Sequence, residues 1–567
     1  MNVAFVMNSA PETTRLCTAV PARETPCAGA AADRSGGVGV NAPPPRPSLV
    51  INALSGWAGL AVQVVVGFLL TPVIIAHLQK SGYAIYTLIG SVIGYYGILD
   101  LGVSTAVRRY VARYAATQDH VSINRTVSAA LLLFSVTSAA VLLGATLAAN
   151  PLGQFLGVQP GQIDDFRQAL WILSLNEVIS LVARVYSATI AAYEYFVIRN
   201  TIIIASTVLR AGLTVWLLWA GLGLMGVALA YLASTVLSLT ANAAACRRKA
   251  PMVRPRFRLA TWSAMRALLG FGITTTIISA AYIISMNLTS VIIARRVSLE
   301  AVAVYGVAAI LLQYFSDLVG TGMAVLAPRF ANLHGAQDMR QFRSLLVKSL
   351  WIASVLSCLL GLFLMTLSGR FVRLWVGEGF AEAVMVVMVL TVSRVLGASQ
   401  TPAINAIFAV NKHKYLAATT IAEGFCAVGL SILLAPAWGI VGVAAGIMVP
   451  SLIVGGLVQP VYMARLYGMR LRTYLWPMLA TIAPAGALYL AWQGVVEPRI
   501  PPGGYLGLCV MGICITLLYL AAIVVSGEVA SRALGRKVGL PVMFLLEGRR
   551  LPAFVTQCIA RKASVRL

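Results

Sequence analysis

Five charged side chains stand inside stretches of sequence that are otherwise almost wholly apolar. Three are arginines, Arg184, Arg210 and Arg394, and two are carboxylates, Glu177 and Glu423. Each arginine lies nine to twelve residues from the nearest basic loop, so roughly 13–18 Å along a helix at 1.5 Å per residue. That depth is the centre of a hydrocarbon layer about 30 Å thick. A charge there costs about 2.5–3.5 kcal/mol on insertion scales, and is tolerated when it meets water, an opposite charge or an ionic ligand. Two arrangements satisfy these groups. In one, arginines and carboxylates pair and tie helices together; Glu177 and Arg184, seven apart, share a helix face about 10 Å from each other. In the other, they line a polar cavity with one excess positive charge. Such a cavity suits a phosphate or pyrophosphate, which guanidinium groups grip through two parallel hydrogen bonds. Asn287, an amide in the seventh apolar stretch, joins them as a candidate cavity residue.

Helices must position these groups, because the chain is written for a membrane. It has 567 residues, 59% hydrophobic and only 11% charged, with a mean hydropathy of +0.85. Its apolar letters fall into fourteen blocks, each of about 20 residues, the length a transmembrane helix needs. The short alternating segments of a membrane β-barrel are absent. The expected fold is therefore an all-α polytopic membrane protein.

The basic residues orient it. With the amino terminus inside, the cytoplasmic segments carry 33 Lys and Arg and the external loops 7, the bias expected from the difficulty of translocating positive charge. Both termini are predicted cytoplasmic. The net charge of +25 follows from this topology, so nucleic acid is not an expected partner. Membrane lipid is one: the middle loop carries Arg247, Arg248, Lys249, Arg254, Arg256 and Arg258, which suit anionic headgroups. Arg108, Arg109, Arg113 and Arg329 gather in two further cytoplasmic loops and form a basic inner mouth. The histidines have no ligand spacing, no nucleotide-binding loop is present, and no metal or cofactor is expected. The eight cysteines avoid the external loops, which argues against disulfides.

The sequence also repeats. TPVIIA at 71–76 returns as TSVIIA at 289–294, and Asp100-Leu101 as Asp317-Leu318. VARYA (111–115) returns as APRFA (327–331), and GLMGVALA (223–230) as GIVGVAAG (439–446). A shift held between 216 and 218 through six spans marks a duplication. Six is even, so the copies run the same way through the membrane, as parallel repeats. The predicted organisation is a disordered cytoplasmic tail (1–50), a six-helix lobe (51–246), a basic linker (247–266) and a second six-helix lobe (267–466). Helices thirteen and fourteen (467–526) and a basic cytoplasmic tail (527–567) follow. The repeat equates Arg394 with Glu177, and Pro72, which bends a helix, with Ser290. Asp100 and Asp317 are expected to be turn or cap residues at inner helix ends.

The repeat residues carry a family resemblance. LQKSGYAIYTLIGSVIGYYGILDLGVSTAVRRYVARYAATQD (78–119) resembles the first-lobe segment of polysaccharide-export flippases, and VYGVAAILLQYFSDLVGTGMAVLAPRFANLHGAQD (304–338) the matching second-lobe segment. FVRLWVGEGFAEA (371–383) and GIVGVAAG resemble later landmarks. The chain is identified by these as similar to the O-antigen and polysaccharide flippase branch of the multidrug/oligosaccharidyl-lipid/polysaccharide exporter superfamily. The resemblance implies two lobes like those of multidrug exporters (MATE), which open alternately to the two sides. It implies passage of a polyprenyl-pyrophosphate-linked oligosaccharide across a bacterial inner membrane, with no catalysis. Polysaccharide polymerase and export machinery become candidate partners. Fourteen spans fit this branch, since drug-exporting relatives usually have twelve. Where the family often has an acid, this chain has Asn287, which weakens proton or sodium coupling at that helix. Two alternatives stand beside it. A cation-coupled drug exporter of the same superfamily needs an acidic cavity, against the arginines. A membrane enzyme of polysaccharide assembly needs a large external loop with an acid/base cluster, and none is present.

Overall fold

The computed structural model describes residues 49–410, 414–499 and 504–534, and these are almost entirely helical. Of the predicted tails, 1–48 and 535–567 lie outside the described residues, as does His413, while 49–50 and 527–534 belong to helices. α1 (Leu49–Tyr96) holds two spans divided at Gln79, whose backbone leaves the helix (φ 60°, ψ 176°). α2 (Val103–Ala116) is short, with a buried apolar face and exposed arginines. α3 (His120–Phe155), α4 (Ile163–Ala192), α5 (Phe196–Trp219) and α6 (Gly223–Lys249) follow. The order then returns: α7 (Trp262–Arg296), α8 (Leu299–Ala324), the short α9 (Ala327–Gly335), α10 (Met339–Val376), α11 (Glu382–Ser399) running on into α12 (Thr401–Ala409), and α13 (Lys414–Ile453). α13 folds back on itself at Gly439 (φ 55°), so that Ser431 Oγ donates to the Val443 carbonyl, 3.1 Å away. α14 (Gln459–Leu466), α15 (Leu471–Ala491) and α16 (Tyr505–Leu534) complete the chain.

Among the described residues, eleven helical stretches are long and apolar enough to cross a membrane. The two longest, of 63 and 52 residues, each hold two spans. With α7 these make the fourteen expected, and the protein is a polytopic all-α membrane protein.

The repeat is visible in the backbone. Gln118 and Gln337 are both left-handed (φ 54° and 56°), and each precedes an aspartate that caps a helix. Asp119 accepts from the Ser122 amide and Asp338 from the Gln341 amide, both at 2.9 Å. Hydrogen bonds from the Ser122 hydroxyl and then its amide hold the Asp119 carboxyl below its ordinary range. Gly223 and Gly439 (φ 51° and 55°) turn the chain at equivalent positions, where a residue with a Cβ is disfavoured.

The copies differ at the aspartates. Asp100 ends a 3-10 turn before left-handed Leu101 and Gly102, and accepts from Ser104 Oγ. Asp317 was expected at a matching helix end but lies inside α8. The position equivalent to Gly102 is Val319, whose branched side chain resists positive φ, so α8 stays helical to Ala324. Asp317 instead accepts from Gln313 Nε2 at 2.9 Å, one turn back.

The two sets of six spans meet closely. Gly67 leaves room for the Tyr314 hydroxyl, Gly94 for the Asn287 amide and Gly306 for Thr87; a side chain at any of the three would collide. The linker is tied to α3, since Asn124 Nδ2 donates to the Met252 carbonyl (2.9 Å) and the Arg256 amide to Ser128 Oγ (3.0 Å). Its arginines are exposed beside Phe257 and Trp262, which are 66% and 70% exposed, an aromatic and basic surface suited to a membrane interface. α15 and α16 pack on α10 through Cys358, Leu362, Ala485 and Tyr519.

Candidate functional site

A cavity of about 700 Å³ lies between the two sets of spans. The second arm of α1 contributes Tyr83, Tyr86 and Thr87; α4 contributes Asn176 and Glu177; α6 contributes Tyr231. From the other side come Asn287 and Ser290 on α7, Tyr305 and Gln313 on α8, and Arg394 on α11. A neighbouring cavity of about 370 Å³ lies within the second set, lined by Thr289, Glu423, Ser451 and Gln459. Arg394 borders both.

The predicted residues take different places around these cavities. Arg394 meets the central cavity directly. Glu177 lines it too, but its carboxylate is paired with Arg184 Nη2 at 2.5 Å; the Glu177 side chain is 8% exposed and that of Arg184 35%. The paired arrangement therefore holds for these two. The 10 Å separating their backbones is closed by the long Arg184 side chain reaching back two turns. Arg210 lies behind the wall, with its guanidinium 4.7 Å from the ring of Tyr231. The Tyr231 hydroxyl shares a 2.9 Å hydrogen bond with that of Tyr86. Arg210 Nε has no hydrogen-bond partner among the described residues. Glu423 belongs to the smaller cavity, where it accepts from Ser451 Oγ at 2.5 Å. Asn287 borders the central cavity and donates to the Ile283 carbonyl at 2.9 Å. Arg108, Arg109 and Arg113 are exposed on α2, and Arg329 on α9. Arg109 also stacks 4.4 Å from the ring of Phe271.

The electrostatic result is a cavity whose one lining carboxylate is already neutralised by Arg184. Arg394 adds a further guanidinium to the wall, and Arg210 stands behind it against the Tyr231 ring. The tyrosines of the wall, and Asn176 and Gln313, are not marked out by the sequence, whereas Asn287 is. Tyr83, Tyr86, Tyr231 and Tyr305 offer flat apolar faces with hydroxyl edges, and Asn176 and Gln313 offer donors and acceptors together. Tyrosine is common in membrane helices near the interfaces, so its letters alone do not mark a cavity.

The two sets of spans also touch toward the Gln79 end. Lys80 Nζ lies 3.8 Å from Glu300 Oε2, and Phe68 packs against Tyr314, Phe371 and Trp375 with ring centres 5.0–5.7 Å apart.

This architecture, two helical bundles around a polar central cavity in a membrane, defines a transporter fold. Among solved structures it is similar to the lipid II flippase MurJ in an inward closed conformation, with a TM-score of 0.66 at 11% identity, covering 86% of this chain and all of that one. It is likewise similar to an inward-facing multidrug resistance MATE transporter of the MOP superfamily (TM-score 0.64, 15% identity, 73% of this chain and 98% of that one). Those likenesses concern the fold. In sequence, residues 78–385 match the family model described as polysaccharide biosynthesis protein, and the chain belongs to that family. A protein of Shigella flexneri named for O-antigen transport is 22% identical over 400 residues, which cover 70% of this chain and 93% of that one. The membrane protein EpsK of Bacillus subtilis strain 168 is 21% identical over 449 residues, 78% of this chain and 88% of that one.

Proposed function

We propose that this protein is a flippase for a polyprenyl-pyrophosphate-linked oligosaccharide in the bacterial inner membrane. The oligosaccharide headgroup enters the central cavity from the cytoplasmic side. It leaves on the outer side when the two lobes, 51–246 and 267–466, rock about their seam. The isoprenoid tail stays in lipid throughout. The Gln79 end is the external one and both termini are cytoplasmic, which the distribution of basic residues supports. The chemistry is transport, with no bond made or broken.

The observation that carries this reading is Arg394 at the wall of a tyrosine-rich cavity between the two sets of spans. A pyrophosphate needs a cation that stays charged at every physiological pH, and arginine meets that need. Sugar rings find flat faces in the tyrosines and hydrogen-bonding edges in Asn176, Asn287 and Gln313. A cationic drug would find the lining carboxylate, Glu177, already paired with Arg184. A polysaccharide polymerase and further export machinery, acting on the external face, are the partners this reading implies.

Deletion of the chain tests it. Lipid-linked oligosaccharide should accumulate on the inner leaflet, and surface polysaccharide should be lost. Normal surface polysaccharide in the deletion strain, with new sensitivity to cationic dyes, would replace the flippase reading with a drug-export one.

A further inference from the structure

A second, smaller cavity of about 270 Å³ lies between α1, α5 and α8. It sits on the cytoplasmic side of the close contact between Gly67 and Tyr314. Gly56, Gly59 and Gln63 fall on one face of α1, at the three- and four-residue spacing of a helix. Asn200 on α5 and Asp317 and Thr321 on α8 face them. The glycines clear the space: a side-chain carbon at Gly59 would touch nothing within 4 Å.

The polar groups here are incompletely used. The Gln63 amide and the Thr321 hydroxyl have no hydrogen-bond partner among the described residues. Asn200 Nδ2 donates to Ser55 Oγ at 2.8 Å, which leaves its carbonyl oxygen. Asp317 Oδ1 accepts from Gln313, which leaves the second carboxylate oxygen. Inside a membrane span such groups are costly unless something polar meets them.

Their types select the occupant. With a carboxylate and no cation in the lining, phosphate is repelled. An isoprenoid chain would bury Asp317 against hydrocarbon. A metal or ammonium ion would use the oxygens and leave the Gln63 and Thr321 donors unmet. A neutral sugar ring, with hydroxyls that both donate and accept, satisfies all four residues, and planar carboxylate and amide groups can engage neighbouring hydroxyls in pairs. Gln313 connects the two sites, since it lines the central cavity and binds Asp317.

We propose that this cavity is a carbohydrate subsite, which holds one uncharged pyranose of the oligosaccharide on the cytoplasmic side of the central cavity. The proposal rests on the flippase reading and adds to it where a sugar remote from the pyrophosphate is recognised.

The test places a photoreactive p-benzoylphenylalanine at Gly59 in one variant and at Ala309, on the central cavity wall, in another. Both are expressed in the native host, irradiated and purified, and bound carbohydrate is detected by periodate oxidation and hydrazide staining. Both adducts should carry carbohydrate. Carbohydrate on the Ala309 adduct alone overturns the subsite and leaves the flippase reading intact; carbohydrate on neither overturns both. In parallel, polysaccharide export is measured at equal protein level. Gln63→Leu and Asp317→Leu should each lower it at least fivefold. Asp317→Asn, which keeps an acceptor without the charge, should retain more than half. Equal loss in Asp317→Asn and Asp317→Leu would make the occupant a cation and overturn the proposal, as would unchanged export in the leucine variants.

Discussion

The indole nitrogen of Trp375 donates a hydrogen bond to the backbone carbonyl of Phe68, 2.7 Å away. Phe68 is four residues before Pro72, which has no amide hydrogen to offer it. The bond therefore joins α10 to a carbonyl that the α1 ladder leaves open, across the seam between the two sets of spans. Trp375→Phe keeps the ring and removes the donor, which leaves a buried carbonyl short by about 1–3 kcal/mol. The contacts at the Gln79 end should weaken. A cysteine at Gly90, where the cavity wall has room for a side chain, should then react faster with an impermeant thiol reagent in intact cells. An increase of roughly tenfold corresponds to about 1.4 kcal/mol. Identical rates in the presence and absence of the indole donor would remove this bond from those contacts.

The pair Glu177–Arg184 calls for a double-mutant cycle. Arg184→Ala leaves Glu177, whose side chain is 8% exposed, without its cation. The single variant should be less stable by about 1–3 kcal/mol, read as a lower melting temperature in detergent. Adding Glu177→Ala should recover most of the loss. If the double variant is no more stable than Arg184→Ala alone, the guanidinium acts on something other than Glu177. Recovery of stability without recovery of export would assign Arg184 to transport as well as to folding.

Much of this fold is legible from the letters, because a membrane leaves a chain few options. Blocks of about 20 apolar residues become helices, and the duplicated motifs return as duplicated turns, down to left-handed Gln118 and Gln337. What the sequence does not show is which way a side chain leaves its helix. Arg184, Arg210 and Arg394 look alike as letters. In the structure one is paired, one is stacked behind Tyr231 and one meets the cavity. The Asp100 and Asp317 echo misleads for a related reason. What decides their geometry is the glycine two residues on, present in the first copy and replaced by valine in the second.

The topology has a direct check. Gln159 and Glu378 are exposed in the turns after α3 and α10, and Met252 is exposed in the basic linker. Cysteines at Gln159 and Glu378 should react with an impermeant thiol reagent in intact cells. One at Met252 should react only after the membrane is opened. These sites avoid Gly157 and Gly377, whose positive φ (74° and 89°) would strain any replacement. Labelling of Met252 from outside would invert the assignment of both faces.

The last prediction separates the two arginines that are not paired with Glu177. Arg394 meets the central cavity, so a bound pyrophosphate would engage its planar fork directly. Arg394→Lys keeps the charge and loses the second hydrogen bond, and should retain part of the export. Arg394→Ala should abolish export at normal protein level. Arg210 acts from behind Tyr231, where the ring takes one face of its guanidinium. Its contribution is a field and a position for the Tyr86–Tyr231 pair. Arg210→Lys should therefore be nearly as active as the wild type, because a cation over a ring survives the exchange. Tyr231→Phe should cost little more, since the ring remains and only the hydroxyl bond to Tyr86 is lost. Arg210→Ala should lower export by a smaller factor than Arg394→Ala. The measurement is surface polysaccharide normalised to membrane protein level across these five variants. If Arg210→Ala is the more damaging change, the pyrophosphate sits at the α5–α6 wall, and Arg394 is a partner of the smaller cavity beside Glu423.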